Sequence, residues 1–552
     1  MTIKKLLIAN RGEIASRIIR SAHDMGIATV AIYTEPDSNS PYVRQANEAF
    51  KLETSYLDSK EILNIASKAN VDAIHPGYGF LSENYNFANQ VKKANLKWVG
   101  PSANAIKKMG DKLIAKTLSE KAGVPTLPMT NNPKNADKIG FPILVKAAAG
   151  GGGKGMRIVR KQKELKDAIT SAEREAEGGF GDKRVFLERY IAKSRHIEIQ
   201  ILGDSHGNII HLGERECSIQ RRHQKVVEES PSPIIDYDLR NKMGEAAIKM
   251  ASLLKYESAG TVEFLFDEKT KEFWFLEVNT RLQVEHPVTE EVTGIDLVRE
   301  QLKIANGDPL SISQDDVEII GSSIEVRLYS EDPGNDFLPV TGKLIAFDPC
   351  EEPLVRWDVG VESGSEITPN FDPMLAKIIS YGEDRIEAAN KLALALEKSH
   401  FGGLKTNRDY LIAILRSEEF LKGNTTTDFL NQANIKDEIN LTKEEVLLTA
   451  ISASMWVQGK NRNDSEVLSN LASGWNNARL PNQEVNFDYS GEKISIKYKR
   501  NRDNTFSISD GKKVIIHSWA PNFIDIEIDN SRLRSKITCL LYTSDAADDD
   551  RG

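Results

Sequence analysis

This sequence of 552 residues has only three cysteines, and it lacks both long apolar runs and an excess of positive charge. Cys217, Cys350 and Cys539 lie far apart without metal-ligand spacing, which argues against a disulfide framework and favours a reducing compartment. No segment approaches the roughly 20 apolar residues of a membrane span, and the first apolar run is too short for a signal peptide. The net charge of −9 argues against a general nucleic-acid binder. We therefore expect a cytoplasmic protein that binds neither membranes nor nucleic acid.

The length exceeds what one hydrophobic core supports, so about three or four domains are expected. The first, residues 1–111, alternates short apolar runs with helical patterns. This alternation predicts a doubly wound parallel sheet with helices on its faces. Gly12 follows the first strand alone, without the rest of a dinucleotide fingerprint, so a nicotinamide site is not expected. The predicted strands are 5–9, 28–33 and 73–75, and the predicted helices are 13–23 and 59–69.

Three further units and a tail are predicted after residue 111. Residues 112–316 contain long strands, and residues 317–431 form a third unit. Residues 432–538 form a helix over 442–458 and then a small antiparallel sheet or barrel. The tail, 539–552, resembles translated vector sequence, so we exclude it from the fold and expect the natural C-terminus to be missing. The strands are predicted at 142–146, 184–190, 196–203, 260–266, 272–279, 486–489, 494–498, 505–508, 514–518 and 524–528.

Four consecutive glycines at 150–153 lie between Lys146 and Lys154. Without side chains in the way, the backbone N–H groups of such a tract can close on phosphate oxygens, and the lysines neutralise a polyphosphate. The spacing is not that of a P-loop, because no Gly-Lys-Ser/Thr opens a helix. We predict a loop that binds a triphosphate; a flexible hairpin tip is the alternative.

Two glutamates are predicted to face each other across a hairpin. If the hairpin is symmetric about Thr270, Glu263 and Glu277 both lie seven positions from its centre, and Asn279 shares their face. Like charges directly opposite on a sheet are destabilising unless something offsets them. Carboxylate and amide oxygens suit Mg²⁺ or Mn²⁺, so a metal site is predicted. The alternative is two solvated glutamates on an exposed face.

Polar residues follow this hairpin in a segment that Pro287 ends. Arg281 and two main-chain groups can bind a small anion there, with Glu285 close enough to take a proton; a salt-bridged surface loop would explain the residues nearly as well.

The cationic run 216–225 is either a phosphate-facing loop or a nucleic-acid patch, and the acidic pair at 228–229 favours the first. The run 75–80 could be a simple turn.

Seven runs together resemble the biotin carboxylase family of ATP-grasp enzymes over residues 1 to about 430. The later run GWNNARLPNQ at 474–483 and the β-rich region are similar to α subunits of acyl-CoA carboxylases, in which a short domain joins the partner subunit. The family resemblance implies a central ATP-grasp domain and an α+β domain over 317–431. The seven runs are IANRGEIA at 8–15, HPGYGFLSEN at 75–84, MGDK at 109–112, AGGGGKGMR at 149–157, ECSIQRRHQKVVEE at 216–229, EVNTRLQVEHPVTE at 277–290, and Glu325-Val326-Arg327.

The resemblance implies ATP-dependent carboxylation of biotin, with bicarbonate and Mg²⁺ or Mn²⁺. Glu285 would be the general base, and Arg327 would stabilise the biotin enolate. Lys225 and Arg281 would act with them in catalysis. The implied contacts are Lys112, Lys146, Gly151, Gly152, Gly153, Glu188, His196, Gln220 and His223 for ATP; Glu263, Glu277 and Asn279 for the metal; Lys225, Arg281, Gln283 and Val284 for bicarbonate; and Tyr78, Phe80 and Arg327 for biotin.

One departure from the family concerns the biotin carrier, because the Ala-Met-Lys-Met motif of family α subunits is absent. We therefore expect biotin on a carrier that was lost by truncation or is supplied in trans. The expected partners are that carrier and a carboxyltransferase β subunit, in an oligomer. Two alternatives stay open: a component of a pyruvate or urea carboxylase, and a catalytically silent assembly subunit.

Overall fold

The structure is a computed structural model that describes residues 2–149, 156–222, 224–433, 435, 441–465, 481–489 and 491–538. The predicted glycine loop at 150–153, His223 and the tail 539–552 lie outside these residues, as does most of the run 474–483. The chain divides into two compact units, Met1–Asp437 and Glu438–Gly552. None of the described helices is both long enough and apolar enough to cross a membrane.

The first unit begins with a five-stranded parallel sheet in the order β3-β2-β1-β4-β5, which confirms the predicted doubly wound sheet. The strand order reverses beside β1, so the loops after β1 and β4 meet there. The Asn10 side chain joins these loops, since its Nδ2 donates to the carbonyl oxygens of Pro76 (2.8 Å) and Tyr78 (2.7 Å). The elements are β1 Lys5–Ile8, α1 Gly12–Asp24, β2 Ala28–Tyr33, α2 Pro41–Gln45, β3 Glu48–Lys51, α3 Ser59–Lys68, β4 Ala73–His75, α4 Tyr85–Lys93, β5 Lys97–Trp98 and α5 Ala103–Met109.

A four-stranded antiparallel sheet follows, in the order β6-β9-β7-β8. Its helix α8 packs on it, burying Leu165 and Ala172 in the same apolar cluster as Ile143 and Val145 of the sheet. The elements are α6 Lys112–Lys121, β6 Met129–Thr130, α7 Ala136–Ile139, β7 Ile143–Ala147, β8 Arg157–Val159, α8 Leu165–Phe180 and β9 Val185–Arg189.

An eight-stranded sheet in the order β14-β13-β10-β11-β12-β15-β22-β20 forms the centre of this unit. Strand β12 pairs with β15, so the sheet continues across residue 316, where a domain boundary is predicted. Its elements are β10 Arg195–Gly203, β11 Ile209–Arg221, β12 Gln224–Ser230, α9 Tyr237–Leu254, β13 Ser258–Asp267, β14 Glu272–Asn279, α10 His286–Thr293, α11 Leu297–Asn306, β15 Ser322–Tyr329, β20 Arg356–Val359 and β22 Met374–Gly382.

Short strands and helices complete the first unit. The strands pair as β16 with β17, β18 with β21 and β19 with β23. Helices α12 and α13 bury Leu392, Leu396 and Leu411 against the eight-stranded sheet. These elements are β16 Glu331–Asp332, β17 Leu338–Pro339, β18 Gly342–Lys343, β19 Ala346–Asp348, β21 Glu366–Ile367, α12 Arg385–Lys398, β23 His400–Gly402, α13 Arg408–Arg416, α14 Glu418–Leu421 and α15 Phe429–Gln432, with 3₁₀ turns at Glu35–Asp37, Pro133–Asn135, Gln162–Glu164, Gln314–Asp316 and Pro333–Asn335.

The described residues of the second unit form one helix and an antiparallel sheet whose six strands pair in chain order. A capping box of Thr442 and Glu445 begins the helix. The rings of Trp456 and Trp519 hold the helix on the sheet, because each indole N–H donates to a carbonyl across the contact, at 3.1 and 3.0 Å. The last strand was not predicted. The elements are α16 Lys443–Asn463, β24 Gln483–Tyr489, β25 Glu492–Arg500, β26 Phe506–Ile508, β27 Lys513–Ala520, β28 Phe523–Ile528 and β29 Ser531–Lys536.

Candidate active site

One face of the eight-stranded sheet is polar although it is buried. In β10, Ile197, Ile199 and Ile201 point into an apolar core. The alternate residues of the same strand, His196, Glu198 and Gln200, are at most 8% exposed. Successive residues of a strand point to opposite faces, so these three share the second face. Buried polar side chains on one face need partners, and they find them on the neighbouring strands.

Lys225, from β12, lies at the centre of this face. Its Nζ is 2.7 Å from Glu198 Oε2, 3.1 Å from Glu263 Oε1 and 2.5 Å from Glu285 Oε1. Burial alone would lower the pKa of Lys225, but Cys217 and the three carboxylates raise it well above its usual range. The lysine therefore stays positively charged and holds three strands and one loop together.

Arg327, from β15, contacts the second carboxylate oxygen of Glu285. Its guanidinium is 3.0 Å from Glu285 Oε2 and also pairs with Glu228. Burial alone would raise the pKa of Glu285, but Lys225, Arg327 and Arg215 together hold it well below its usual range. Glu285 is therefore an ionised, deeply buried carboxylate between two cations. The structure thus brings three of the four predicted catalytic residues into direct contact.

The predicted metal ligands lie at the start of the β13–β14 hairpin. Glu263 and Glu277 are opposite each other, as predicted, but the pairing is reached through a bulge and not by symmetry about Thr270. The turn pairs Asp267 with Glu272, and the register shifts by one residue between Phe264 and Glu263. Asn279 lies beside this pair and donates from Nδ2 to Glu263 Oε1 at 2.7 Å.

The chemistry of these donors fits a divalent cation, which prefers carboxylate and amide oxygens. A basic side chain lies beside each carboxylate in this structure: Lys112 Nζ is 3.6 Å from Glu277 Oε2, and His196 Nε2 is 2.9 Å from Glu263 Oε2. Burial would raise the pKa of Glu263, but Lys225 and His196 hold it below its usual range. Ligand atoms of His196, Glu198 and Glu263 also lie within 4.8 Å of one another. Both carboxylates are therefore arranged to receive positive charge.

Residues 281–285, here called the anion loop, follow the hairpin. Arg281 donates from NH1 to Gln283 Oε1 at 2.9 Å and from Nε to Glu83 Oε2 at 3.0 Å. Gln283 is 3% exposed, and its Nε2 has no hydrogen-bond partner among the described residues. A buried N–H donor without a partner costs free energy, so a small anion that accepts from it would be stabilised there. The carbonyl oxygen of Val284 points instead to Lys377, whose Nζ donates at 2.8 Å.

The predicted ATP contacts fall into two groups. Lys146 Nζ and Glu188 Oε2, on neighbouring strands of the four-stranded sheet, are 3.0 Å apart, and Lys116 also contacts Glu188. Gln220 Nε2 and His196 Nδ1, on the eight-stranded sheet, are 2.8 Å apart. Lys112 begins α6 and approaches the hairpin as described above. The predicted contacts Gly151, Gly152, Gly153 and His223 lie outside the described residues.

The predicted biotin contacts lie on the loop after β4 and on β15. The hydroxyl of Tyr78 donates to Glu13, so only its ring is available to a ligand. Phe80 is 39% exposed, has a φ of +40° and packs on the ring of Tyr56 with a centroid distance of 5.0 Å. A positive φ is unusual for a bulky residue, so the loop is specifically shaped at this position.

Sequence reasoning missed several residues of this site. Glu198 and Arg215 form an ion pair of 2.5 Å that is completely buried beside Lys225. A signal for Glu198 is present in the sequence, because polar residues alternate with isoleucine in β10 at the spacing of a strand. Glu228 was within a recognised run but received no role, although its pKa is raised, chiefly by burial, to about 7. Lys116 and Lys377 lie in helical and apolar contexts that predict packing only.

Comparisons with known proteins agree with this geometry. Residues 2–106 match the family model "Biotin carboxylase, N-terminal domain", 102–313 match "Carbamoyl-phosphate synthase L chain, ATP binding domain", and 325–432 match "Biotin carboxylase C-terminal domain". Biotin carboxylase 2 of Bacillus subtilis is 47% identical over 441 residues, 78% of this chain and 99% of that protein. The methylcrotonoyl-CoA carboxylase α subunit of Mus musculus is 40% identical over 554 aligned positions, 97% of this chain and 75% of that protein.

A solved structure is similar as well. It is the biotin carboxylase domain dimer of Hydrogenobacter thermophilus 2-oxoglutarate carboxylase, in complex with MgADP, ADP and bicarbonate. The TM-score is 0.78 at 41% identity, and the match covers 80% of this chain and all of that one. Three family models in order, long alignments and a shared fold lead to one conclusion. This chain belongs to the biotin carboxylase family of biotin-dependent carboxylases.

Proposed function

We propose that this chain carboxylates biotin with bicarbonate and ATP, through carboxyphosphate. The observation that carries the proposal is the buried contact of Glu285, the last residue of the anion loop, with both Lys225 (2.5 Å) and Arg327 (3.0 Å). A carboxylate between two cations can exchange one of its ion pairs for a bound anion without leaving a charge unpaired. The relative with bound bicarbonate and MgADP supports the choice of ligands.

Bicarbonate would bind on Lys225, Arg281, the free Nε2 of Gln283 and the main chain of Val284. All of these groups carry positive charge or N–H donors, and they surround one carboxylate, Glu285. As long as Lys225 and Arg327 both pair with it, Glu285 is a weak base. When bicarbonate takes one of these cations, the pKa of Glu285 rises, and it can accept the bicarbonate proton. Substrate binding would thus activate the base.

ATP would lie between Lys146, Lys112 and the His196–Gln220 pair, with its γ-phosphoryl group toward bicarbonate. A Mg²⁺ or Mn²⁺ ion on Glu263, Glu277 and Asn279 would neutralise the transferred phosphoryl group. A bicarbonate oxygen attacks the γ-phosphorus, and the bond to ADP breaks to give carboxyphosphate. The lysines stabilise the charge that develops in this transfer.

Biotin would enter beside Tyr78, Phe80 and Arg327. Carboxyphosphate breaks down to CO₂ and phosphate, and the phosphate takes the proton of the ureido nitrogen. The nitrogen then forms its new bond to the CO₂ carbon. Arg327 would stabilise the enolate, since its guanidinium already lies in a buried row of carboxylates with its Nε unpaired among the described residues.

Phosphate release tests this proposal. ATP, Mg²⁺, bicarbonate and free biotin should together give a rate that falls to background when bicarbonate or biotin is omitted. Glu285→Gln should lower this rate about 100-fold or more, because the isosteric amide cannot accept a proton. Glu245→Gln is the matched control, since Glu245 is exposed on α9 and should leave the rate unchanged. Equal rates for the two variants would contradict the assignment of Glu285 as the general base. If the wild type binds nucleotide but releases no phosphate, a catalytically silent assembly subunit would be favoured.

We further propose that the chain is the carboxylase component of an oligomeric acyl-CoA carboxylase, with a carrier and a carboxyltransferase as partners. The match to the mouse α subunit covers 97% of this chain, whereas the Bacillus match covers 78%. The longer match supports a role for the second unit in such an assembly. Supplying a biotinylated carrier and an acyl-CoA carboxyltransferase should give carboxylated acyl-CoA. Turnover with a pyruvate or urea carboxyltransferase instead would support the alternative assembly.

A further inference from the structure

Two buried side chains hydrogen-bond to main-chain carbonyl groups of the anion loop. His286 Nδ1 is 2.7 Å from the carbonyl oxygen of Gln283, and Lys377 Nζ donates to the carbonyl oxygen of Val284 at 2.8 Å. Both side chains are completely buried. Two consecutive carbonyl groups of the loop are therefore each fixed by a separate donor.

These contacts fix the N–H groups of the loop as well. In a trans peptide the C=O and the following N–H point in opposite directions within one plane. The hydrogen bond to Gln283 thus directs the N–H of Val284 away from His286, and the bond to Val284 directs the N–H of Glu285 away from Lys377. Val284 is a residue whose main chain is predicted to bind bicarbonate.

Burying the charge of Lys377 at this position costs free energy, which its hydrogen bond to the anion loop would explain. In the sheet register, Lys377 of β22 is directly opposite Arg327 of β15, and like charges in that relation repel. Each cation is offset by its own carboxylates: Arg327 by Glu228 and Glu285, and Lys377 by Glu13 (3.4 Å) and Asp358 (3.8 Å). An apolar side chain would fill the same space without the cost of burying an ion.

The histidine donates without carrying charge. Since Gln283 offers a carbonyl oxygen, the proton of His286 must lie on Nδ1. Burial, and then Lys377 and Arg17, lower the pKa of His286 well below its usual range. It therefore contributes a hydrogen-bond direction and no electrostatic attraction for an anion.

We propose that Lys377 and His286 are positioning residues that orient two peptide planes of the anion loop for bicarbonate. Neither side chain need touch the substrate. This inference rests on the proposed function, because it assigns a task to residues behind that bicarbonate site. It predicts that loss of either hydrogen bond weakens bicarbonate binding more than ATP binding.

The lysine is tested with Lys377→Met, which removes the donor and keeps a long side chain. The KM for bicarbonate should rise roughly tenfold or more, the size expected when a charged hydrogen bond is lost. The KM for ATP should change less than about twofold. Lys391→Met is the matched control, because Lys391 also donates to a carbonyl of this sheet region, that of Tyr381 at 3.0 Å, but lies outside the loop. An equal rise in both KM values would show a general structural defect and overturn the proposal.

The histidine gives a second test that does not depend on removing a charge. The amide nitrogen of His286→Asn can replace Nδ1, whereas that of His286→Gln reaches only the position of Nε2. The Asn variant should keep a KM for bicarbonate within about threefold of the wild type, and the Gln variant should raise it roughly tenfold. Equal KM values for bicarbonate in the Asn and Gln variants would overturn the assignment of His286 as a positioning residue. This test remains valid even if Lys377→Met does not fold.

These outcomes are separable from failure of the proposed function. A wild-type protein without bicarbonate-dependent phosphate release would remove the proposed function and this inference with it. If the wild type is active and Lys377→Met and His286→Gln both have the wild-type KM for bicarbonate, this inference alone is wrong.

Discussion

Strands β10 and β28 have the same alternating sequence pattern but opposite surroundings. In β28 of the second unit, Ile524, Ile526 and Ile528 are buried, while Asp525 and Glu527 are partly exposed. In β10 every residue is buried, including Glu198, which is paired with Arg215 and Lys225. A period of two therefore identifies a strand but does not determine whether its polar face meets solvent or a binding site.

The energetic difference follows from this burial. The second unit has an ordinary apolar core, and the ion pairs among its described residues are at least partly exposed to solvent, which weakens their contribution to stability. The first unit buries an array of charges whose desolvation is offset by their mutual contacts and by hydrogen bonds with neutral side chains. Such an array is a poor way to stabilise a sheet and a good way to bind a charged substrate.

The largest effect should come from Lys225→Met in the first unit. The change leaves Glu198, Glu263 and Glu285 without their shared cation, so we expect a loss of about 3–5 kcal/mol in the free energy of unfolding. Biotin-dependent phosphate release should fall to background. Denaturant unfolding and the phosphate assay measure both effects, with Lys249→Met as the control, since Lys249 is exposed. A variant as stable and active as the wild type would contradict the account of this array.

A core substitution in the second unit should have the opposite profile. Ile526→Ala removes a fully buried side chain, which should destabilise that unit by about 2–5 kcal/mol. Phosphate release with free biotin should stay within about twofold of the wild type, because the predicted site residues all belong to the first unit. Hydrogen exchange of strands β24–β29 would report the local loss. A parallel loss of catalytic rate would show that catalysis with free biotin depends on the core of the second unit.

Glu228 should make the stability of the first unit depend on pH. Its pKa in the folded protein, about 7, is above its ordinary value of 4.5, chiefly because of burial. The folded state therefore binds this proton more tightly, and the resulting stabilisation is complete below pH 4.5 and lost as the pH rises through 7.

The measurement compares the wild type with Glu228→Gln at pH 4.5 and pH 8. The difference in unfolding free energy between the two proteins should change by at most about 3 kcal/mol, with the wild type relatively more stable at the lower pH. A difference that does not vary with pH would place the pKa of Glu228 in its ordinary range.

The smallest effect should come from Asp525→Asn in the second unit. Asp525 of β28, which is partly exposed, pairs with the exposed Arg532 at 2.9 Å. Exposed pairs of this kind contribute little, so the thermal midpoint should not move measurably. A clear shift would mean that surface charges stabilise the second unit, contrary to the contrast drawn here.

Much of the fold was predictable because its elements are locally encoded. Strands β2 and β4 have the predicted bounds, and the parallel sheet follows from alternation of strands and helices. The opposition of Glu263 and Glu277 was also predicted, but the bulge that produces it was not. A bulge depends on tertiary packing around the strand, which the hairpin sequence alone does not determine.

The rest of the site depends on long-range placement. Lys377 follows Arg327 by fifty positions in sequence, and only the pairing of β15 with β22 makes them neighbours. Glu13, in the first helix of the chain, is also distant from Lys377 in sequence but pairs with it in the fold. No local pattern marks such residues, so only the structure could reveal the buried groups behind the anion loop.

The most direct test of the account follows an oxygen atom. If bicarbonate attacks the γ-phosphoryl group, the attacking oxygen remains on phosphorus when carboxyphosphate breaks down. Reaction with ¹⁸O-labelled bicarbonate and free biotin should therefore give one ¹⁸O in each phosphate released, detected by mass spectrometry. Phosphate without the label would show that water attacks ATP, which would contradict the proposed role of the anion loop and Glu285.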